Sequence, residues 1–233
     1  MDFPTPEAKE KYVHSVFSRI AGCYDTMNKI ISFNQDRTWR RKAALKTGAL
    51  PGHVLLDCCC GTGALTSLLV PMVGSKGKVT GLDFCEEMLA RAKKNCPGAN
   101  FIQGNASALP FPKDTFDAST MAFALRNLGD QDKAIKEMVR VVKPGGRVVI
   151  LELNRPSIPV FKQVFTLYFN KIVPFLGKFR KGSGDSYLYL PQSYAFLPPP
   201  GELLETMKQA GLKDTGMQEM TGGVTAIFWG TKN

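Results

Sequence analysis

The sequence predicts an α/β fold, a doubly wound and mostly parallel sheet, on three observations. Short apolar runs alternate with helical stretches from residue 53 to residue 153. The first run, Val54-Leu55-Leu56-Asp57-Cys58, passes through Cys59 and Cys60 directly into Gly61-Thr62-Gly63. An acid, Asp83, stands twenty positions after Gly63 at the end of the second run. A buried strand, a glycine turn and an acid at the next strand tip form the opening unit of a nucleotide-type sheet.

The elements follow in order. Residues 8–22 read as a helix, and residues 24–48 as helical segments broken near Ser32-Phe33-Asn34. Pro51-Gly52 is a turn. Strand 53–58, helix 64–73, strand 78–82 and helix 86–95 come next, then strands 100–103 and 116–122, helix 131–142 and strand 146–153. Lys143-Pro144-Gly145-Gly146 makes the turn before that last strand. The alternation then stops. Residues 156–181 are apolar and basic together, with five Lys or Arg and no acid. They suit either a helix packed on the domain or a lid that admits a greasy substrate from a membrane surface. Gly182 to Asp185 is a loop, Glu202 to Ala210 a helix ended by Gly211, and Gly223 to Gly230 a final strand. A helix and two strands after a parallel core place an antiparallel strand at one edge. The expected division is a helical N-terminal extension over 1–48, a core over 49–155 and 199–233, and a lid insertion over 156–198.

Composition bounds the function. The chain has 233 residues, 44% hydrophobic and 21% charged, which are globular values. It has no uncharged apolar run of 18 residues, so no membrane-spanning helix is expected. Met1 to Glu7 does not read as a secretory signal or transit peptide. The six cysteines do not form a disulfide framework, and the consecutive Cys58, Cys59 and Cys60 alternate faces, which argues against a metal site. A cytoplasmic protein is expected. The net charge of +10 admits nucleic acid or an anionic membrane surface as partner.

The glycines carry the chemistry. Gly61 and Gly63 let a ligand approach the backbone. Asp83 can accept two hydrogen bonds from a ribose diol. A dinucleotide would ask for a third glycine where Thr66 stands. Asp57, four residues before Gly61, suits a ligand with a positive end. S-adenosylmethionine carries an ammonium and a sulfonium and no phosphate. Asn105, after the third strand, can meet an adenine edge. These groups and Phe123 to Asn127 fall around one crevice above the strand tips.

At this point the chain resembles the menaquinone/ubiquinone-biosynthesis C-methyltransferase family, from about Val16 to Gly230. The likeness rests on Phe17-Ser18-Arg19-Ile20-Ala21, Tyr24-Asp25-x-Met27-Asn28, Arg37-x-Trp39-Arg40 and Asp57-x-Cys59-Cys60-Gly61-Thr62-Gly63. Asn105-Ala106, Phe123-Ala124-Leu125-Arg126-Asn127, Asp185-Ser186-Tyr187-x-Tyr189 and Thr221-Gly222-Gly223 continue it. The chain departs from the commoner pattern at Asp36, Ala64, Ala122, Ala124, Ala195 and Phe228. The resemblance implies a class I, Rossmann-like methyltransferase that moves a methyl from S-adenosylmethionine to a ring carbon of a polyprenylated quinol, with no metal. Thr62, Asp83, Asn105 and Ala106 would hold the cofactor, together with Asp57, Gly61 and Gly63.

A ring carbon becomes nucleophilic when a neighbouring hydroxyl loses its proton, so a base or a cation is needed. Arg126 can stabilise phenolate charge, or serve only a structural ion pair. Asp25 and Asp185 are candidate proton acceptors, Asp185 equally a helix cap. Tyr24, Tyr187 and Tyr189 can flank the ring, with Asn28 and Asn127 beside them. Demethylmenaquinol is the leading acceptor, since no mitochondrial presequence is visible. A ubiquinone precursor and a non-catalytic scaffold in a quinone-making complex are the alternatives. Nucleic acid is disfavoured, because Met121 to Asn127 lack the motif of base-directed enzymes. Peripheral contact with an anionic membrane is expected, and a homodimer stays open.

Overall fold

A computed structural model describes residues 3–154 and 192–233, together with Pro156, Gln163, Leu167, Tyr168 and Tyr189. Three helices come first: α1 (Pro6–Ile20), α2 (Tyr24–Ile31) and α3 (Gln35–Lys46). Helix α1 starts two residues earlier than the sequence suggests. The Thr5 side chain accepts from the Ala8 N–H at 3.2 Å, and Pro6 fills the first turn, where no N–H is needed. The break between α2 and α3 falls at Phe33 and Asn34, both in the left-handed region with φ of 50° and 61°.

The core is a seven-stranded sheet in the order β3-β2-β1-β4-β5-β7-β6. The strands are β1 (Val54–Cys58), β2 (Lys78–Asp83), β3 (Asn100–Gln103), β4 (Phe116–Ala122), β5 (Val142–Leu153), β6 (Leu212–Met220) and β7 (Thr225–Lys232). The first five pair parallel, and β7 pairs antiparallel with both β5 and β6. The antiparallel edge is therefore a β6–β7 pair in which the later strand slips inside. The Lys143–Gly146 turn is absorbed as an irregularity: Phe116 pairs with Val142, and regular pairing resumes at Ala118 with Arg147.

Alternation along β1 sends neighbouring leucines to opposite faces. Leu55 packs with Trp39, Ala43 and Ala44 of α3 and with Leu69 and Val73 of α4 (Thr66–Val73). Leu56 packs on the other face, with Ile135 and Met138 of α6 (Gln131–Val141) and Met207 of α7 (Pro200–Gln209). Helix α5 (Glu86–Asn95) lies along β2 and β3. The sheet is thus covered on both faces, as parallel sheets require. All six cysteines are free. Among the described residues, no helix is long and apolar enough to cross a membrane. The expected lid over 156–198 falls largely outside the described residues.

Candidate functional site

The strand order reverses between β1 and β4, and a crevice opens above their carboxyl ends. It forms a cleft of about 680 Å³. Gly61, Asp83, Asn105 and Ala106 line it from the strand tips, and Ala122, Phe123 and Ala124 from the end of β4. Helix α1 closes it from above with Glu10, Val13 and Phe17. Two contacts tie that helix down: Lys9 Nζ donates to the Leu128 carbonyl at 2.7 Å, and Asn105 Nδ2 donates to Glu10 Oε2 at 3.2 Å. Burial pulls the Lys9 amine down to about 8.

Asp83 organises the cleft. One carboxylate oxygen accepts the Gly61 N–H at 2.8 Å and the other the Cys85 N–H at 2.9 Å. Burial pushes its carboxyl upward, and these two bonds oppose that shift. A carboxylate offers about four acceptor positions, so capacity remains for a diol. Gly61 leaves open space above it: a Cβ there would meet nothing within 4 Å, and its φ is +56°. That notch leaves room for a ligand to approach the loop backbone.

Three further expected cofactor residues are not among the residues that line the cleft. Gly63 lines no cavity wall; a Cβ on it would lie 3.4 Å from Ala92, so it serves the packing of α5 against the loop. Thr62 is buried and its hydroxyl donates to Asp25 Oδ1 at 2.6 Å, which fastens the glycine loop to α2. Asp57 lies beneath the loop. Thr66 Oγ1 donates to it at 2.6 Å and Thr120 Oγ1 at 3.0 Å. Desolvation raises its carboxyl to about 6 against the pull of those hydroxyls and of Arg40. Asn105 does face the cleft, with its carbonyl oxygen accepting the Ser107 N–H at 2.8 Å.

A second cavity, of about 910 Å³, lies beside the first. Phe17, Tyr24 and Phe123 belong to both walls. Its lining is largely apolar and aromatic, with Ile20, Ile31, Trp39, Tyr168 and Tyr189, and it includes Asn28, Asp36, Arg40 and Arg126. Phe123 is held at φ +60°, which costs a non-glycine residue about 1–3 kcal/mol. Its N–H donates to Leu151 O at 2.8 Å, and its carbonyl accepts from Arg126 Nη1 at 2.9 Å. The strained residue stands where the two cavities meet.

Arg126 is buried and bonded through Nε and Nη1. Its Nη1 lies 2.6 Å from Glu152 Oε1, and its Nε donates to Ser193 Oγ at 3.2 Å. Asn127 lines the cofactor cleft, and its Oδ1 accepts from the Tyr189 hydroxyl at 3.0 Å. Asp25 lines neither cavity, since its carboxylate is turned to Thr62. Asp185 and Tyr187 lie outside the described residues.

Sequence reasoning missed Glu10, Phe84 and Glu152. Phe84 directly follows the acid at the β2 tip and lines the cleft beside it. Glu10 and Glu152 carry no local signal. Among the described residues, His14, Cys85 and Glu87 bring ligand atoms within 4.8 Å of one another. Glu87 already accepts from Ser18 at 2.8 Å and from Cys85 at 3.2 Å, which closes that group on itself.

Residues 5–232 match the model of the ubiE/COQ5 methyltransferase family. The chain is 44% identical to a demethylmenaquinone methyltransferase of Desulfitobacterium hafniense, over all of this chain and 94% of that protein. It is 41% identical to the enzyme of the same name from Shouchella clausii, over 97% and 98% of the two chains. Among solved structures, a Thermotoga maritima S-adenosylmethionine-dependent methyltransferase shares the fold with a TM-score of 0.68 at 20% identity, over 95% of this chain and all of that one. A Haemonchus contortus phosphoethanolamine N-methyltransferase, solved with S-adenosyl-L-methionine, aligns with a TM-score of 0.60 at 16% identity, over 82% and 52%.

Proposed function

The chain belongs to the ubiE/COQ5 methyltransferase family and uses S-adenosyl-L-methionine, and from that premise we propose that it methylates a ring carbon of demethylmenaquinol to give menaquinol. The observation that carries this reading is the pair of adjoining cavities that share Phe17, Tyr24 and Phe123. One is tipped with Asp83 and Asn105 and suits a nucleoside. The other is walled by aromatic and aliphatic side chains and suits a fused aromatic ring with an apolar tail.

When bound, the cofactor supplies an activated methyl on a sulfonium. The chain's own residues do the rest. Gly61 leaves the notch, and Asp83 and Asn105 fix the nucleoside end. Phe17, Tyr24 and Phe123 bring the two ligands together and exclude water, so that approach is nearly intramolecular. Arg126 acts as a positioning residue, clamping the Phe123 carbonyl and the turn after β4.

The acceptor's tail suggests a membrane-facing entrance at the α2–α3 corner. Phe33 is 75% exposed and Ile30 47%. The Phe33 ring sits 5.7 Å from that of Tyr168, a wall of the acceptor cavity. Lys29, Arg37 and Arg41 stand exposed around this corner. Apolar tips ringed by cations fit the surface of an anionic bilayer.

The direct test uses purified protein, labelled S-adenosylmethionine and chemically reduced demethylmenaquinone. The product is expected to gain one CH2 in mass with the label on the ring. Transfer to a demethylated ubiquinone precursor but not to the naphthoquinol would overturn the head-group assignment.

A further inference from the structure

Two arginines line the acceptor cavity, and they are bound in different ways. Arg126 has Glu152, Ser193 and the Phe123 carbonyl as acceptors. Arg40, on α3, is 6% exposed, and its Nε has no hydrogen-bond acceptor among the described residues. Its nearest carboxylate, Asp36 one turn earlier, stays at 3.9 Å, too far for a hydrogen bond. Asp36 is instead held by the Ser32 hydroxyl, which donates to its Oδ1 at 3.1 Å. The Arg40 guanidinium carbon lies 5.0 Å from the centre of the Phe123 ring, the residue shared by both cavities. A buried guanidinium N–H without an acceptor is costly, and a ligand that brings an anionic oxygen to it removes the cost.

We propose that Arg40 receives the oxyanion of the acceptor's ring hydroxyl and that Asp36 takes its proton. This deepens the quinol reading and rests on it for the identity of the ring. The step is a proton transfer: the ring O–H bond breaks, its electron pair stays on oxygen, and the proton passes to the Asp36 carboxylate. The oxyanion pushes electron density onto the neighbouring ring carbon, where the methyl is added. That carbon then loses its own proton, the oxygen regains one, and one proton leaves per turnover. Arg126 already holds Glu152, Ser193 and the Phe123 carbonyl, whereas the Arg40 Nε has no acceptor among the described residues. Other charged or titratable groups around Arg40 are Asp57 at the end of β1, and Tyr24, Arg126, Tyr168 and Tyr189 on the cavity walls. The Tyr168 and Tyr189 hydroxyls donate to Ile31 O and Asn127 Oδ1, so both are already committed as donors.

The test reads ionisation as well as turnover. A nitronaphthol whose visible absorbance reports its charge state is bound to the full chain with S-adenosylhomocysteine present. In the unsubstituted protein it is expected to ionise at lower pH than in free solution. Arg40→Gln is expected to abolish that shift and Arg40→Lys to keep part of it, both with unchanged S-adenosylhomocysteine affinity. Asp36→Asn is expected to leave the shift in place and to slow turnover with reduced demethylmenaquinone by about 100-fold near neutral pH, as loss of a general base does. Equal ionisation in the Arg40→Gln and unsubstituted proteins overturns the proposal, as does the absence of any shift in the unsubstituted protein. An Arg40-dependent shift without turnover of the naphthoquinol supports the arginine's role and sinks only the choice of acceptor.

Discussion

The two cavities meet along one wall, yet they are built by opposite means. The cofactor cleft takes most of its polar groups from the tips of consecutive strands, Gly61 after β1, Asp83 on β2 and Asn105 after β3. The acceptor cavity gathers side chains from α1, α2, α3, the turn after β4 and the end of β5, together with Tyr168 and Tyr189. The first is a property of the sheet; the second is a property of what is laid over it. Damage to the first should read as lost affinity, and damage to the second as lost stability or altered chemistry.

The largest expected effect falls on the second region. Glu152→Ala leaves the buried Arg126 charge uncompensated and is expected to cost about 3–5 kcal/mol in denaturant unfolding. An Arg126→Met, Glu152→Leu double substitution should recover most of that stability. If the single change is mild, the acceptor wall is not held by this pair, and the contrast weakens.

Next comes the first region. Asp83→Ala is expected to weaken S-adenosylmethionine binding by roughly 10–100-fold in calorimetry, the scale of losing hydrogen bonds to a charged acceptor. An unchanged dissociation constant would remove Asp83 from the cofactor site.

Asp57 joins the two regions, since it lies under the glycine loop and feels Arg40. Burial pushes its folded carboxyl up to about 6, above the usual carboxylate range, so between that range and 6 the folded state binds more protons than the unfolded state. Stability contributed by the neutral carboxyl is therefore present at low pH and is lost as pH rises through about 6. Asp57→Asn should flatten that slope between pH 4 and 6; an identical slope in the substituted protein would assign it elsewhere. Because the cofactor carries positive charge, its binding is also expected to tighten as Asp57 ionises.

A smaller effect is expected from Trp39→Phe, which removes the 2.8 Å indole hydrogen bond to Thr221 Oγ1 and should cost about 1 kcal/mol of stability. The smallest is at the surface. Phe33→Ser should change stability by no more than about 0.5 kcal/mol. It should nonetheless lower sedimentation with anionic vesicles at low salt, and equal sedimentation would leave the α2–α3 corner without a lipid role.

Much of the first region was legible. Strand tips recur at fixed spacing in a doubly wound sheet, so Gly61, Asp83 and Asn105 can be placed by counting. Roles within the motif were less so. Gly61 and Gly63 look alike in sequence, but only Gly61 has open space above it, because Ala92 of α5 takes the room over Gly63. The same limit applies to Asp25, which is captured by Thr62 rather than turned to the acceptor cavity.

The sequence by itself determined the alternating sheet, the antiparallel edge and the cofactor class, because period, spacing and turn chemistry are local and need no knowledge of distant contacts. The tertiary structure alone decided which of two buried arginines is already paired and which lacks, among the described residues, a hydrogen-bond partner for its Nε. Pairing is set by what distant elements bring within about 3 Å, the reach of a hydrogen bond. Glu152 reaches Arg126 across 26 positions of chain, whereas Asp36, only four positions from Arg40, stops short.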